Sequence, residues 1–252
     1  MIQLTIIRIE GYGTWTLTLG SDREPQLQML QAKIYHDVQR LFSERKGIVY
    51  FNRFDEYFAI TNGLDAEDHK EIQGELTKIY KNLKLSMTVG SGITAFEASM
   101  KAYVARKQEK TLNGNSRIFG SDDNSDSGMA QIMHIDIDNS TKAADSLSPY
   151  EVTSLVARIY SRLVDEFLKY NSLSFFLGGD NFMVISNGMT KEQADTVIKK
   201  VTVGIDIKLN CGIGVGKTGR EAAEAATKAL DTIRDLRKEG KIESIYEVRC
   251  HP

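Results

Sequence analysis

The sequence repeats itself. YFNRFDEYFAITNG at 50–63 returns as FFLGGDNFMVISNG at 175–188, IIRIEGYG at 6–13 as HIDIDNST at 134–141, and SMTVGSG at 86–92 as NCGIGVG at 210–216. The offsets of 125, 128 and 124 residues keep the three blocks in one order. Collinear matches at so long a period mean two copies of one fold and not a stack of short repeats. Between the copies lies LNGNSRIFGSDDNSDSG (112–128), where 13 of 17 residues are Gly, Asn, Ser or Asp. Such a segment buries too little apolar area to offset its ordering entropy, so it reads as a flexible linker. The expected organisation is a first repeat over 1–111, a linker over 112–128 and a second repeat over 129–252.

Each copy reads strand, helix, two strands, helix, strand, helix. In the second, 129–138 alternates as a strand, and Ser148-Pro149 opens a helix to about Lys169. SLSFFLGGDNFMVIS gives two strands around a Gly-Gly turn. A helix follows from Lys191 to about Lys200, then a strand over 207–215 and an Ala-rich helix from Glu221 to Arg237. Glu24-Pro25 opens the long helix of the first copy. The order βαββαβ predicts an α+β, ferredoxin-like unit, an antiparallel sheet with helices on one face. On the first strand of copy two, Ala130, Ile132, His134, Asp136 and Asp138 share one face, while Met133, Ile135 and Ile137 share the other. In copy one Ile2, Leu4 and Ile6 precede Arg8 and Glu10 on the matching face. That face is too apolar at its start to lie open, and the other copy is the economical cover. Two sheets face to face in a pseudo-dimer are expected.

Asp136 and Asp138, two apart, project to one side near the strand's end, and the turn Gly178-Gly179-Asp180-Asn181 presents a third carboxylate. Acids at strand ends are often merely solvated, but this combination with a glycine turn favours a site. Convergent carboxylates without cysteine suit Mg²⁺ or Mn²⁺ over zinc. Where copy two has Asp136, Asp138, Gly178 and Asp180, copy one has Arg8, Glu10, Arg53 and Asp55. Either copy one supplies cationic groups to a substrate, or these residues form ion pairs. His134 lies on the acidic face and is a candidate general acid or base, or a hydrogen-bonded core histidine. Asn139, Ser140 and Thr141 follow the acidic strand, where their backbone N–H groups are candidate phosphate contacts, and Asn181 adjoins Asp180. Lys217 and Arg220, at a strand-to-helix junction, are further candidates for phosphate.

Other motifs fail. Gly214-Val-Gly216-Lys-Thr-Gly219 fits GxGxxG, yet no acidic strand end follows at the spacing of a dinucleotide fold. The same run is no P-loop, since Cys211 stands where its first glycine belongs. His36, His69 and His251 form no ligand pattern, and the Asn-Gly pairs at 62–63 and 187–188 read as turns.

A first-strand Asp with a Gly-Gly-Asp hairpin on this frame resembles the palm-type domains of diguanylate cyclases, class III nucleotidyl cyclases and polymerases. Gly-Gly-Asp-Asn-Phe departs from Gly-Gly-Asp-Glu-Phe at its fourth position, against a diguanylate cyclase. More closely, the chain resembles the archaeal-type GTP cyclohydrolase III family through MIQLTIIRIEGYGTWT, RFDEYFAITNG, HIDIDNST, KYNSLSFFLGGDNFMVISNGM and GIGVGKT, in family order across both copies. Glu10 departs from the Asp expected there. The resemblance implies GTP as substrate, hydrolytic opening of the guanine imidazole ring to a formylaminopyrimidine ribonucleotide monophosphate, and release of inorganic phosphate towards flavin and deazaflavin cofactors. It implies two Mg²⁺ held by Asp136, the Ile137 carbonyl and Asp180, with Asp138 and His134 beside them. A nucleotidyl cyclase and an inactive nucleotide-binding regulator remain the alternatives.

Near-equal charge, 32 Lys and Arg against 34 Asp and Glu, gives no basic field for nucleic acid. No apolar run reaches the ~18 residues of a membrane span. MIQLTIIRIE alternates with charges and does not read as a signal peptide. A cytoplasmic protein is expected, with homo-oligomerisation left open.

Overall fold

A computed structural model describes residues 1–112, 114, 117–120, 128–138 and 147–250. They form two compact units, one of Met1–Gly92 with Glu97–Gly128 and one of Ile93–Phe96 with Met129 onward. Unit one runs β1 (Ile2–Ile9), α1 (Tyr12–Leu17), α2 (Glu24–Ser43), β2 (Ile48–Arg53), β3 (Glu56–Ile60), α3 (Ala66–Ile79), β4 (Leu85–Gly92), α4 (Ala95–Lys107) and β5 (Ile118–Phe119). Unit two has β6 (Ala130–Ile137), α5 (Pro149–Leu168), β7 (Leu173–Gly178), β8 (Asn181–Ile185), α6 (Lys191–Val201), β9 (Leu209–Gly216), α7 (Gly219–Lys238) and β10 (Ile245–Arg249).

The sheets are ordered β2-β3-β1-β4-β5 and β7-β8-β6-β9-β10. Four strands of each follow the antiparallel ferredoxin-like order, and the fifth lies parallel to β4 or β9. The duplication therefore reaches the topology, down to an edge strand absent from the expected pattern. β5 also corrects the linker expectation: Ile118, Phe119 and Leu112 are buried against unit one. Three hydrophobics among polar neighbours suffice to pin a two-residue strand.

Local signals set the element boundaries. Ser148 and Glu151 close a capping box on α5, with Pro149 at the first helical position. Asp65 with Asp68 on α3 and Thr190 with Gln193 on α6 build the same device at equivalent positions. The Asn-Gly turns carry more than a change of direction. Asn62 Oδ1 accepts from Gln3 N at 3.0 Å, and Asn187 Oδ1 accepts from Gln131 N at 3.1 Å. Each amide thus fixes the start of its unit's first strand. Asn62 Nδ2 also donates to Met1 O at 3.2 Å and Gly128 O at 2.8 Å.

Each core lies under one sheet face. In unit one Ile7 and Ile9 pack with Ile34, Val38 and Leu41 of α2 and Ile72 and Leu76 of α3. In unit two Met133, Ile135 and Ile137 pack with Ile159 and Leu163 of α5 and Val197 of α6. The opposite face carries a helix of its own in each unit, which corrects the expectation of helices on one side only. α4 lies on β4, and α7 lies on β9. A Cβ on Gly90 would collide with the α4 backbone at Ala98 and Ala102; one on Gly214 would collide with that of α7 at Ala222 and Ala226. The glycine-rich strand GIGVG is thus a seat for an alanine-faced helix. No helix among the described residues is long and apolar enough to cross a membrane.

Candidate active site

Three strands of unit two bring the expected residues together. Antiparallel register sets Asp136 opposite Asn181 of β8 and Asn210 of β9. Gly178 (φ 111°) and Gly179 (φ 61°) take left-handed backbone that other residues resist, which tightens the β7–β8 turn and leaves Asp180 half-buried beside Asn181. Asp136 is 5 % exposed. Its Oδ1 accepts from Asn210 Nδ2 at 2.9 Å, and its Oδ2 pairs with Arg234 Nη2 at 2.6 Å. Asp138 Oδ1 meets Arg237 Nη1 at 2.5 Å, and Arg237 Nη2 donates to Asn210 Oδ1 at 3.0 Å. With Asp231, whose Oδ1 lies 2.9 Å from Arg234 Nη1, three carboxylates, two guanidiniums and one amide form a continuous chain of contacts. A carboxylate this deeply buried needs a cation beside it. Arg234 is that cation here.

His134 sits one step back on the same face. Its Nε2 lies 3.1 Å from Asn181 Oδ1, and its Nδ1 lies 3.2 Å from Thr227 Oγ1 of α7. Asn181 Nδ2 donates to Asp180 Oδ1 at 2.8 Å, so the amide oxygen faces the histidine and Nε2 carries the donated proton. Burial pushes the imidazole below its ordinary pKa, against the opposing pull of the Asn181 bond and the Asp136 charge. Neutral His134 orients Asn181, and Asn181 orients Asp180.

Not every expected residue joins them. β9 runs antiparallel to β6, with Ala130 opposite Gly216, so Lys217 and Arg220 stand at the far end of the sheet. Seven residues separate Asn210 from Lys217, roughly 23 Å of extended strand. The structure does not bring them to Asp136: at their own junction Thr218 caps α7, accepting from Glu221 N at 3.3 Å, and the exposed Lys217 gives its backbone N–H to Glu221 Oε2 at 3.0 Å. Among the described residues no three His, Cys, Asp or Glu side chains gather closely enough to hold a metal. The expected triple-carboxylate convergence is thus reduced to a buried Asp136 with Asp180 on the neighbouring turn. The donor chemistry still fits a hard cation, with oxygen donors only and a buried anion already paired with positive charge. Asn139, Ser140 and Thr141 lie outside the described residues.

The matching end of unit one is built differently. Arg8 pairs with the buried Glu56, which also accepts from Asn52 Nδ2 at 2.9 Å. Arg53 Nε lies 3.3 Å from Asp55 Oδ1. Glu10 accepts from Ser86 Oγ at 2.5 Å and from Arg106 Nη2 at 3.0 Å. The strand position that is Asp136 in unit two is Arg8 here, and its partner on β3 is an acid where β8 has Asn181.

Arg234, Arg237 and Asn210 escaped the reading of the sequence, although a signal existed. β9 from Asn210 to Gly216 spans roughly 20 Å, and a helix returning over it needs roughly 13 residues at 1.5 Å each. Counted from Arg220, that lands near Arg234.

Comparison with known proteins places the whole chain. A family model for GTP cyclohydrolase III matches residues 1–247. GTP cyclohydrolase III of Methanocaldococcus jannaschii is 38 % identical over 93 % of this chain and 88 % of its own length. That of Methanothermobacter thermautotrophicus is 38 % identical over 93 % of this chain and 95 % of its own. Among solved structures, a GGDEF domain from Pseudomonas aeruginosa covers 49 % of this chain and 84 % of its own, at TM-score 0.40 and 17 % identity.

Proposed function

The chain belongs to the GTP cyclohydrolase III family, and from that premise we propose how its residues serve hydrolytic opening of the guanine imidazole ring of GTP. The protein is an enzyme that acts on GTP. The product is a formylaminopyrimidine ribonucleotide monophosphate, and the two outer phosphates leave as orthophosphate. The observation that carries the site assignment is the buried Asp136, compensated by a cation and flanked by the Asp180 turn.

Asp136, the Ile137 carbonyl and Asp180 would hold Mg²⁺, with Asp138 completing the negative field. Bound there, Mg²⁺ supplies positive charge to a triphosphate and lowers the pKa of water. With a cation on Asp136, Arg234 would be free to turn to another anion, and the half-exposed Arg237 stands beside it. Planar guanidiniums match phosphate oxygens two at a time, so both are suited to the outer phosphates. His134, through Asn181, holds Asp180 in one orientation. Arg8, Arg53 and Asp55 belong to unit one, where ion pairs hold the corresponding strand end and turn.

Incubation with GTP and Mg²⁺, following guanine ultraviolet absorbance and phosphate together, tests the reading. Ring opening erases the guanine spectrum, and the freed phosphate is orthophosphate. A nucleotidyl cyclase would leave the spectrum intact and yield pyrophosphate; a binding module would change neither. An unchanged spectrum with GTP and Mg²⁺ bound sinks the cyclohydrolase reading.

A further inference from the structure

Unit one holds a cleft of about 640 Å³ between α1, α2 and the β2–β3 turn. Its size suits a small-molecule site, as does its character: apolar walls with a few polar groups. Tyr12, Tyr35, Phe51 and Phe54 supply the walls. They brace one another, with Phe51 edge-on to Tyr35 at 5.8 Å and to Phe54 at 5.0 Å. Glu24 and Gln28, one helical turn apart on α2, bring a carboxylate and an amide to the same space. There Arg23 Nε lies 3.9 Å from Glu24 Oε1, beyond hydrogen-bond distance, and leaves the carboxylate's other oxygen to a ligand. Flat aromatic walls favour a flat ligand.

The carboxylate decides which flat ligand. Ionised, it only accepts hydrogen bonds, and its two oxygens match two adjacent donors. Guanine presents such a pair in N1–H and its 2-amino group. Adenine presents a bare N1 on the equivalent edge, which a carboxylate repels. We propose that this cleft binds the base of a guanine nucleotide, with Glu24 reading N1–H and the 2-amino group between aromatic walls. The inference deepens the GTP reading, and rests on it only for preferring a nucleotide over another flat donor-bearing ring. Nothing in it depends on the metal or on turnover.

The molecule carries its own reporter. Its one tryptophan, Trp15, lies on α1 with its ring centroid 6.0 Å from that of Tyr12. Guanosine, titrated without Mg²⁺ or phosphate, should change Trp15 emission saturably, with calorimetry reading the same event if emission is silent. Adenosine should bind at least tenfold more weakly. Glu24→Gln should erase that discrimination. Phe54→Ala should weaken guanosine at least tenfold without disturbing the core, since Phe54 is 56 % exposed. No guanosine binding by either method, equal binding of both nucleosides, or unchanged binding in both variants overturns the proposal. GTP turnover without guanosine binding defeats this inference and leaves the catalytic reading standing; guanosine binding without turnover does the reverse.

Discussion

Asp136 and Arg234 meet at 2.6 Å with unequal exposure, the carboxylate nearly sealed from water and the guanidinium half in it. The asymmetry gives the pair a direction. Arg234 can turn towards solvent, whereas the buried Asp136 carboxylate loses its charge partner unless another cation takes that place. Arg234→Ala should therefore lower stability by about 1–3 kcal/mol without Mg²⁺. Added Mg²⁺ should raise the urea midpoint of the variant more than that of the parent. Equal Mg²⁺ effects on the two proteins would show that the arginine does not stand in for a metal.

Asp180 tests the second ligand. It lies half-buried on a glycine turn, so Asp180→Asn removes charge and little packing. Circular dichroism and the melting temperature should stay near the parent values while Mg²⁺-dependent turnover is lost. Retention of more than about a tenth of kcat, a barrier change below ~1.4 kcal/mol, excludes an essential role.

The two copies should respond unequally. Glu10 is already held by Ser86 and Arg106, and the Arg8 position beside it carries no acid. Glu10→Gln should cost far less activity than Asp136→Asn at saturating Mg²⁺. Equal losses of kcat would give both strand ends the same part in catalysis.

The helix seat gives a packing prediction independent of the chemistry. A Cβ on Gly214 would meet the backbone of Ala222 and Ala226, atoms that cannot swing aside. Gly214→Ala should destabilise by about 1–3 kcal/mol, the usual range for overpacking, read as a lower denaturant midpoint. An unchanged midpoint would mean that α7 rides on β9 more loosely than its spacing implies.

Acid should loosen unit one at an identifiable residue. Burial pushes the Asp37 carboxyl up, but hydrogen bonds from Lys33, Tyr80 and His36 outweigh it and bring the pKa down from 3.8 to about 2. A carboxylate with a depressed folded pKa contributes stability above its unfolded value and loses it as pH falls through the folded one. The loss should therefore fall between about pH 4 and pH 2. Asp37→Asn should flatten the urea midpoint across that window while costing about 1–2 kcal/mol at neutral pH. A slope equal to that of the parent would place the acid sensitivity elsewhere.

Periodicity and turn chemistry carried most of the fold. Ser148-Pro149, the Gly178-Gly179 turn and the alternation on β6 are local signals, and each element they mark lies within a few residues of expectation. β5 and β10 were hidden because strands of two and five residues owe their pairing to a neighbour and not to their own pattern. The acids of the candidate site were legible as neighbours because Asp136, Asp138 and Asp180 sit at positions the strands themselves fix. Their cations were not. Arg234 and Arg237 reach them from roughly a hundred residues away, through the seating of a helix that the glycines of β9 allow. Lys217 shows the converse: it is close in sequence to the glycine-rich strand but at the end of it away from Asp136.

Asn62 grips both Met1 and Gly128 by their carbonyl oxygens, so unit one ends beside the place where it begins. A module with adjoining ends can be copied head to tail without a spanning segment, because the chain that leaves one copy needs no length to start another. The same closure makes the order of elements negotiable. A gene cut at an exposed turn and rejoined across such neighbouring ends would encode the same sheet in permuted order.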